Sequence, residues 1–198
     1  MDRRKAIKNL SLAFGITIAT PTLITILNSC KEDELDWKPV FLSRNQVIVI
    51  DYLTDIIIPK TEIAGGLDLN ITQFMDKMLL ETETKQNQII FNRGSEEFIN
   101  SFRKILNKDV YEGNKDEFKK ILNNYFLKSE NEQKKLFELI AMDFDTISDE
   151  EKPNYLIYKF LTTVRYYSLF GFYTSETIMQ DVLHYNPVPG YYKGCVDY

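Results

Sequence analysis

Apolar residues recur at helical spacing along most of this chain, and the first clear run begins at Ser43. Ser43-Arg44-Asn45-Gln46 has the form of a capping box, a hydroxyl followed three residues later by an amide that can reach back. Val49, Ile50, Leu53, Ile56 and Ile57 then share one helical face, and Pro59 ends the run. The β-branched residues at 47–50 would also suit a strand, but the cap and the length favour a helix. Residues 59–66 read as a turn, closed by the Gly65-Gly66 pair. A second helix starts at Asp68 or Asn70 and is expected to carry Phe74, Met78 and Leu79 inward.

Further caps stand ahead of further helical patterns. Ser95 precedes Phe98, Phe102, Ile105 and Leu106; Asn114 with Glu117 precedes Phe118, Ile121, Leu122 and Tyr125; Ser129 with Glu132 precedes Leu136, Phe137, Leu139 and Ile140. Pro153 suits a first helical turn, and the helix behind it, residues 155–170, is apolar on nearly every side. Such a helix is central or interfacial. Thr174-Ser175 can cap one more short helix through Leu183, and residues 185–198, rich in Pro, Gly and Tyr, are expected to run extended over the surface. No alternating strand pair, internal repeat or low-complexity tract interrupts this pattern. The predicted fold is all-α, a compact bundle of six to eight helices with an extended C-terminal tail.

The first thirty residues follow a different pattern. Arg3, Arg4, Lys5 and Lys8 form a basic head, and residues 9–29 carry no charge. Leu27-Asn28-Ser29-Cys30 resembles the bacterial lipobox, which makes residues 1–29 a signal peptide and Cys30 a lipidation site. An uncleaved membrane helix would need roughly 20 apolar residues. The threonines, Pro21 and the closing small-residue-plus-Cys pattern favour processing instead. Arg3-Arg4 also resembles a twin-arginine signal, the route that exports folded proteins. Residues 30–41 form a charged, lipidated tether, whose Lys31-Glu32-Asp33-Glu34 opening resembles the surface-export signal of some bacterial lipoproteins. Residues 42–198 form a single helical domain. The expected location is the bacterial cell envelope, at the periplasmic face or the outer-membrane surface.

Charge and cysteine usage narrow the function classes. Of 24 basic residues the signal takes four, and of 29 acidic residues it takes one, leaving 20 against 28 and a net charge of −8. Without a basic stripe, nucleic acid is an unsuitable partner. There are two cysteines; with Cys30 lipidated, Cys195 has no internal partner for a disulfide. Aromatic residues make up 13% of the chain and gather late in it, as either a thick core or an adhesive surface. Phe160, Leu161 and Val164 read as core, whereas Tyr185, Tyr191, Tyr192 and Tyr198 lie in a tail that cannot build one.

Catalytic constellations are hard to find. His184 is the single histidine and sits at a helix end, where a cation interacts favourably with the helix dipole. One histidine and two cysteines cannot supply a usual zinc site. Asp143, Asp145, Asp149, Glu150 and Glu151 lack the glycine and spacing of a calcium loop and read as a solvated turn. Asp51 and Asp55 share one helix face, four residues apart, on what reads as its polar side. The glycines form no dinucleotide fingerprint. No catalytic, cofactor-binding or metal-binding residue is expected in this chain.

The same residues resemble a known family at both ends of the domain. Leu42-Ser43, Gln46, Leu53, Asp55, Ile57-Ile58-Pro59, Thr61, Gly65 and Phe74-Met75-Asp76 are similar to the opening of the gluconate 2-dehydrogenase subunit 3 family. So are Gly171-Phe172-Tyr173-Thr174-Ser175-Glu176 and the ending Tyr185-Asn186-Pro187-Val188-Pro189-Gly190-Tyr191-Tyr192-Lys193-Gly194-Cys195-Val196. Glu62 and Leu67 depart from the family's usual residues in the turn. The resemblance implies an accessory subunit, non-catalytic alone, that escorts, anchors and stabilises a large partner. That partner is a flavoprotein dehydrogenase of the glucose-methanol-choline type, which holds FAD and oxidises a sugar or polyol. A cytochrome c subunit would take the electrons. The implied partner surface is the aromatic late helix and the tail, with Tyr185, Pro187, Pro189, Gly190, Tyr191, Tyr192 and Cys195 as its named residues, the last either buried and inert or bonded to a partner cysteine. The alternative is a freestanding surface or periplasmic lipoprotein acting as a binding module.

Overall fold

The Ser43 capping box forms as its sequence requires: the Gln46 N–H points at the Ser43 hydroxyl, and the Ser43 N–H donates to Gln46 Oε1 at 2.7 Å. It opens helix α1, Arg44–Ile57, which buries Val47, Val49, Ile50 and Leu53. The helix stops two residues before Pro59. In this computed structural model residues 37–186, Val188 and Gly190 are described. Among them are α2 (Ile71–Glu81), α3 (Lys85–Leu106), α4 (Lys115–Phe126), α5 (Glu130–Ala141), α6 (Lys152–Thr174), a π-helical segment (Ile178–Val182), two short 3-10 turns and no strand. The expected all-α class and helix number are therefore present. All six α-helices belong to one compact unit that begins at Pro39.

α2 starts after Asn70, one of the two expected positions, with Asn70 itself in the left-handed region (φ 52°). Its inward face is turned from the one expected. Ile71, Met75, Asp76 and Leu79 are buried, while Phe74 and Met78 are half-buried. The reason is Asp76. Its carboxylate, 1% exposed, accepts the backbone N–H groups of Val40 at 2.8 Å, Phe41 at 2.9 Å and Leu42 at 2.7 Å. Three donors offset the cost of burying the charge, so a residue that hydropathy would place outside lies inside.

α3 corrects a second expectation. Its N-cap is Thr84, whose side chain accepts from the Asn87 N–H, and not Ser95. Ser95 lies buried in mid-helix, donating to the Asn92 carbonyl and accepting from Gln46 Nε2 at 2.7 Å. The preceding Gly94 is no breaker, because it marks where α3 crosses α6. A β-carbon there would meet the Leu156 carbonyl oxygen at 2.3 Å. Around that crossing Phe91 and Phe98 pack against Phe160, with ring centroids 5.2 and 5.7 Å apart.

α6 is the central helix. It packs on α1, α2, α3 and α5, with Pro153 in its first turn and Tyr155, Leu156, Ile157 and Tyr158 buried in succession. Phe160, Leu161 and Val164 are core, as expected. The expected capping boxes open α4 (Asn114, Glu117) and α5 (Ser129, Glu132). α4 is joined to α1 where the Tyr52 and Phe118 rings stack at 4.5 Å and Lys115 pairs with Asp55 at 2.6 Å. α5 buries no residue fully. Leu139 packs on the small cluster of Ile147, Tyr155 and Leu156, but Phe137, on the apolar pattern of the helix, is 66% exposed.

Candidate functional site

The second half of α6 has two apolar faces, and only one meets the core. Val164, Tyr167, Ser168 and Gly171 point inward. Gly171 lets α2 close in, since a β-carbon there would stand 2.8 Å from the Phe74 ring and 2.9 Å from Ile71 Cδ1. Tyr167 is buried, and its hydroxyl donates to Glu83 at 2.6 Å. Burial, together with that carboxylate, holds the Tyr167 phenol above its ordinary range, so the neutral donor form persists.

The other face is an aromatic stripe open to solvent. Tyr166, Phe170 and Tyr173 fall at i, i+4 and i+7 and are 60%, 40% and 54% exposed. The Tyr166 and Phe170 rings stack nearly parallel at 6.0 Å, and Phe170 leans on Phe74 at the same distance. This preassembled arrangement presents ring faces with little side-chain entropy left to lose on contact. Beyond Ser175 the π-helical segment adds Val182, and Leu183 and Tyr185 follow it, all exposed. Large exposed aromatic surfaces of this kind mark contact sites for other molecules. Ser175 interrupts the helix without capping its successor, because its hydroxyl donates backward to the Phe172 carbonyl.

Of the tail residues expected to meet a partner, Tyr185 and Gly190 are described. Tyr185 is exposed and non-helical, and Gly190 adopts φ 66°. Pro187, Pro189, Tyr191, Tyr192 and Cys195 lie outside the described residues, as do Arg3, Arg4 and Cys30. A central or interfacial α6 is what its sequence leads one to expect; which of its residues face solvent is not legible from hydropathy there, because residues 155–170 are apolar on nearly every side. The i, i+4, i+7 spacing of Tyr166, Phe170 and Tyr173, opposite Val164, Tyr167 and Gly171, was the available signal.

Residues considered for chemistry have structural partners. Asp51 and Asp55 do not converge: Asp51 accepts from the Thr72 hydroxyl of α2, while Asp55 pairs with Lys115 of α4. Asp51 is also largely enclosed, not on a solvated face, and burial raises its pKa, with the Thr72 bond opposing. His184 ends the π-helical segment in the left-handed conformation (φ 50°), and the Tyr185 N–H reaches back to the Met179 carbonyl at 2.8 Å. That is a Schellman-type closure, a backbone role in which the imidazole stays exposed. Asp143, Asp145, Asp149, Glu150 and Glu151 are exposed, with Asp149 paired to Lys152. Among the described residues no three His, Cys, Asp or Glu side chains gather where they could hold a metal. No described helix is long and apolar enough to cross a membrane.

A groove of about 680 Å³ lies between the start of α1 and α3. Its buried floor is the Gln46 amide, already committed to Ser43, Asn92 and Ser95. The floor holds helices together and leaves no buried side-chain polar atom without a partner.

The chain is thus a helical unit with an exposed aromatic face and no assembled catalytic constellation among its described residues. No curated protein and no solved structure matches it. The model of the gluconate 2-dehydrogenase subunit 3 family matches residues 44–190, from the first residue of α1 into the tail, and the chain belongs to that family.

Proposed function

We propose that this chain is the non-catalytic small subunit of an oxidoreductase complex, escorting, anchoring and stabilising a large FAD-dependent subunit of the glucose-methanol-choline type that oxidises a sugar or polyol. Family membership over residues 44–190 carries the reading, and the uncovered Tyr166–Phe170–Tyr173 stripe supports it as a surface made for another protein. The flavin and the catalytic groups belong to the large subunit, and a cytochrome c subunit removes the electrons. The partner-facing surface then combines the α6 stripe with Tyr185 and the Pro- and Tyr-rich tail. At its other end the chain contributes the export signal with Arg3-Arg4 and a lipid on Cys30. A partner that folds around FAD before crossing the membrane needs a route for folded proteins, which is what a paired-arginine signal supplies.

Co-expression with a large FAD-dependent oxidoreductase of the glucose-methanol-choline type from the same source tests this reading. The expected result is that the flavoprotein reaches the envelope with this chain and stays in the cytoplasm without it. Unchanged export would sink the escort role. A pull-down from native membranes that returned no flavoprotein would favour a freestanding envelope lipoprotein.

A further inference from the structure

Val40, Phe41 and Leu42 lie just ahead of α1, outside any helix. Backbone N–H groups in such a segment need acceptors, and here all three end on one rigid carboxylate, that of Asp76. The outer end of the segment is open to solvent, with Val40 62% exposed. Its inner end is seated in the core by Leu42 and by Phe41, whose ring lies 6.2 Å from Phe91. Any pull transmitted from the chain ahead of Pro39 meets these bonds before it meets the Ser43 capping box and α1.

We propose that Asp76 is a clasp that keeps the entry segment shut when the preceding chain is pulled, protecting α1 from being unwound at its first turn. The proposal rests on the reading that Cys30 holds the chain to a membrane, which is what would supply the pull. A helix loaded directly at its N-terminus frays, because its first turn lacks intrahelical partners for its N–H groups. Charge-assisted bonds to a buried carboxylate just ahead of that turn are shorter and stronger than neutral ones. They also converge on α2, so the load passes into the core and bypasses the helix end.

The chain's two cysteines, Cys30 and Cys195, offer natural attachment points. The unlipidated full-length precursor, in detergent, is held between them at constant force, and its lifetime before unfolding is recorded. Asp76→Asn is expected to shorten that lifetime at least tenfold. Val40→Pro removes a single donor at an exposed position; it is expected to shorten the lifetime severalfold and to lower the urea midpoint far less than Asp76→Asn does. If Asp76→Asn fails to fold, Val40→Pro decides. A wild-type lifetime for Val40→Pro under force overturns the clasp. Because the precursor carries no lipid, this outcome is independent of whether Cys30 is acylated, which radiolabelled palmitate incorporation tests separately.

Discussion

Gly94 and Leu156 bring the backbones of α3 and α6 into direct contact, with room at Gly94 for a hydrogen and nothing larger. The carbonyl that a β-carbon would strike belongs to the central helix and cannot rotate away. Gly94→Ala would gain up to about 1 kcal/mol of helix propensity. Forcing the helices apart costs about 1–3 kcal/mol or more through the lost fit of Phe91, Phe98 and Phe160. The clash should win. Urea denaturation of Gly94→Ala is expected to show a lower midpoint with an unchanged slope.

Tyr166 and Tyr173 contribute little to the core, so removing both should leave the fold intact. Tyr166→Ala with Tyr173→Ala is expected to shift the thermal midpoint by no more than a few degrees. If the stripe is the partner surface, the pair should weaken capture of the large subunit substantially, since aromatic hot spots cost about 2 kcal/mol or more each, roughly 30-fold in affinity. Titrating the purified flavoprotein against wild-type and double-variant chains reads the difference. Equal affinities would move the interface away from α6.

What the sequence made legible were features that act within a few residues. The Ser43–Gln46, Asn114–Glu117 and Ser129–Glu132 boxes could be found because their partners are three residues apart. The start of α3 was missed because Gly94-Ser95 looks like a break and cap until α6 is set against it. The burial of Asp76 was illegible for a related reason, since its partners at positions 40–42 are some 35 residues away. On α6, uniform hydropathy hid which aromatic residues face solvent. Phe137 on α5 shows the converse, where a good amphipathic pattern has no core to meet.

Asp51 gives the domain a pH dependence of definite sign. Its folded pKa lies above that of the unfolded chain, because burial between α1 and α2 outweighs the Thr72 hydrogen bond. As pH rises from the unfolded value toward the folded one, the unfolded state releases its proton first, and stability falls. Above both values the loss is complete and constant. Asp51→Asn does not titrate, so its stability relative to wild type should grow across that acid window and then level off. Thr72→Val removes the opposing bond and should widen the window upward. Thermal midpoints from pH 3 to 7 test both; a gap independent of pH would contradict the assignment.

Gln46 combines two tasks that an isosteric change separates. Its Oε1 completes the α1 cap by accepting from Ser43, while its Nε2 donates to Asn92 Oδ1 at 2.9 Å and Ser95 Oγ at 2.7 Å. Gln46→Glu keeps the shape and the cap acceptor but faces Asn92 with a second oxygen. The protonated acid can still donate there; the carboxylate cannot, and it is buried. Its folded pKa should therefore lie above the ordinary glutamate value of about 4.3. Below that value the variant should be close to wild type. As pH rises through the folded pKa it should lose about 1–3 kcal/mol, the cost of a buried acceptor left facing an acceptor. Urea unfolding at pH 4 and pH 7 is the direct measurement. A variant equally stable at both would mean that Asn92 turns its amide to donate instead, and the bridge from α1 to α3 would then be adaptable and not fixed.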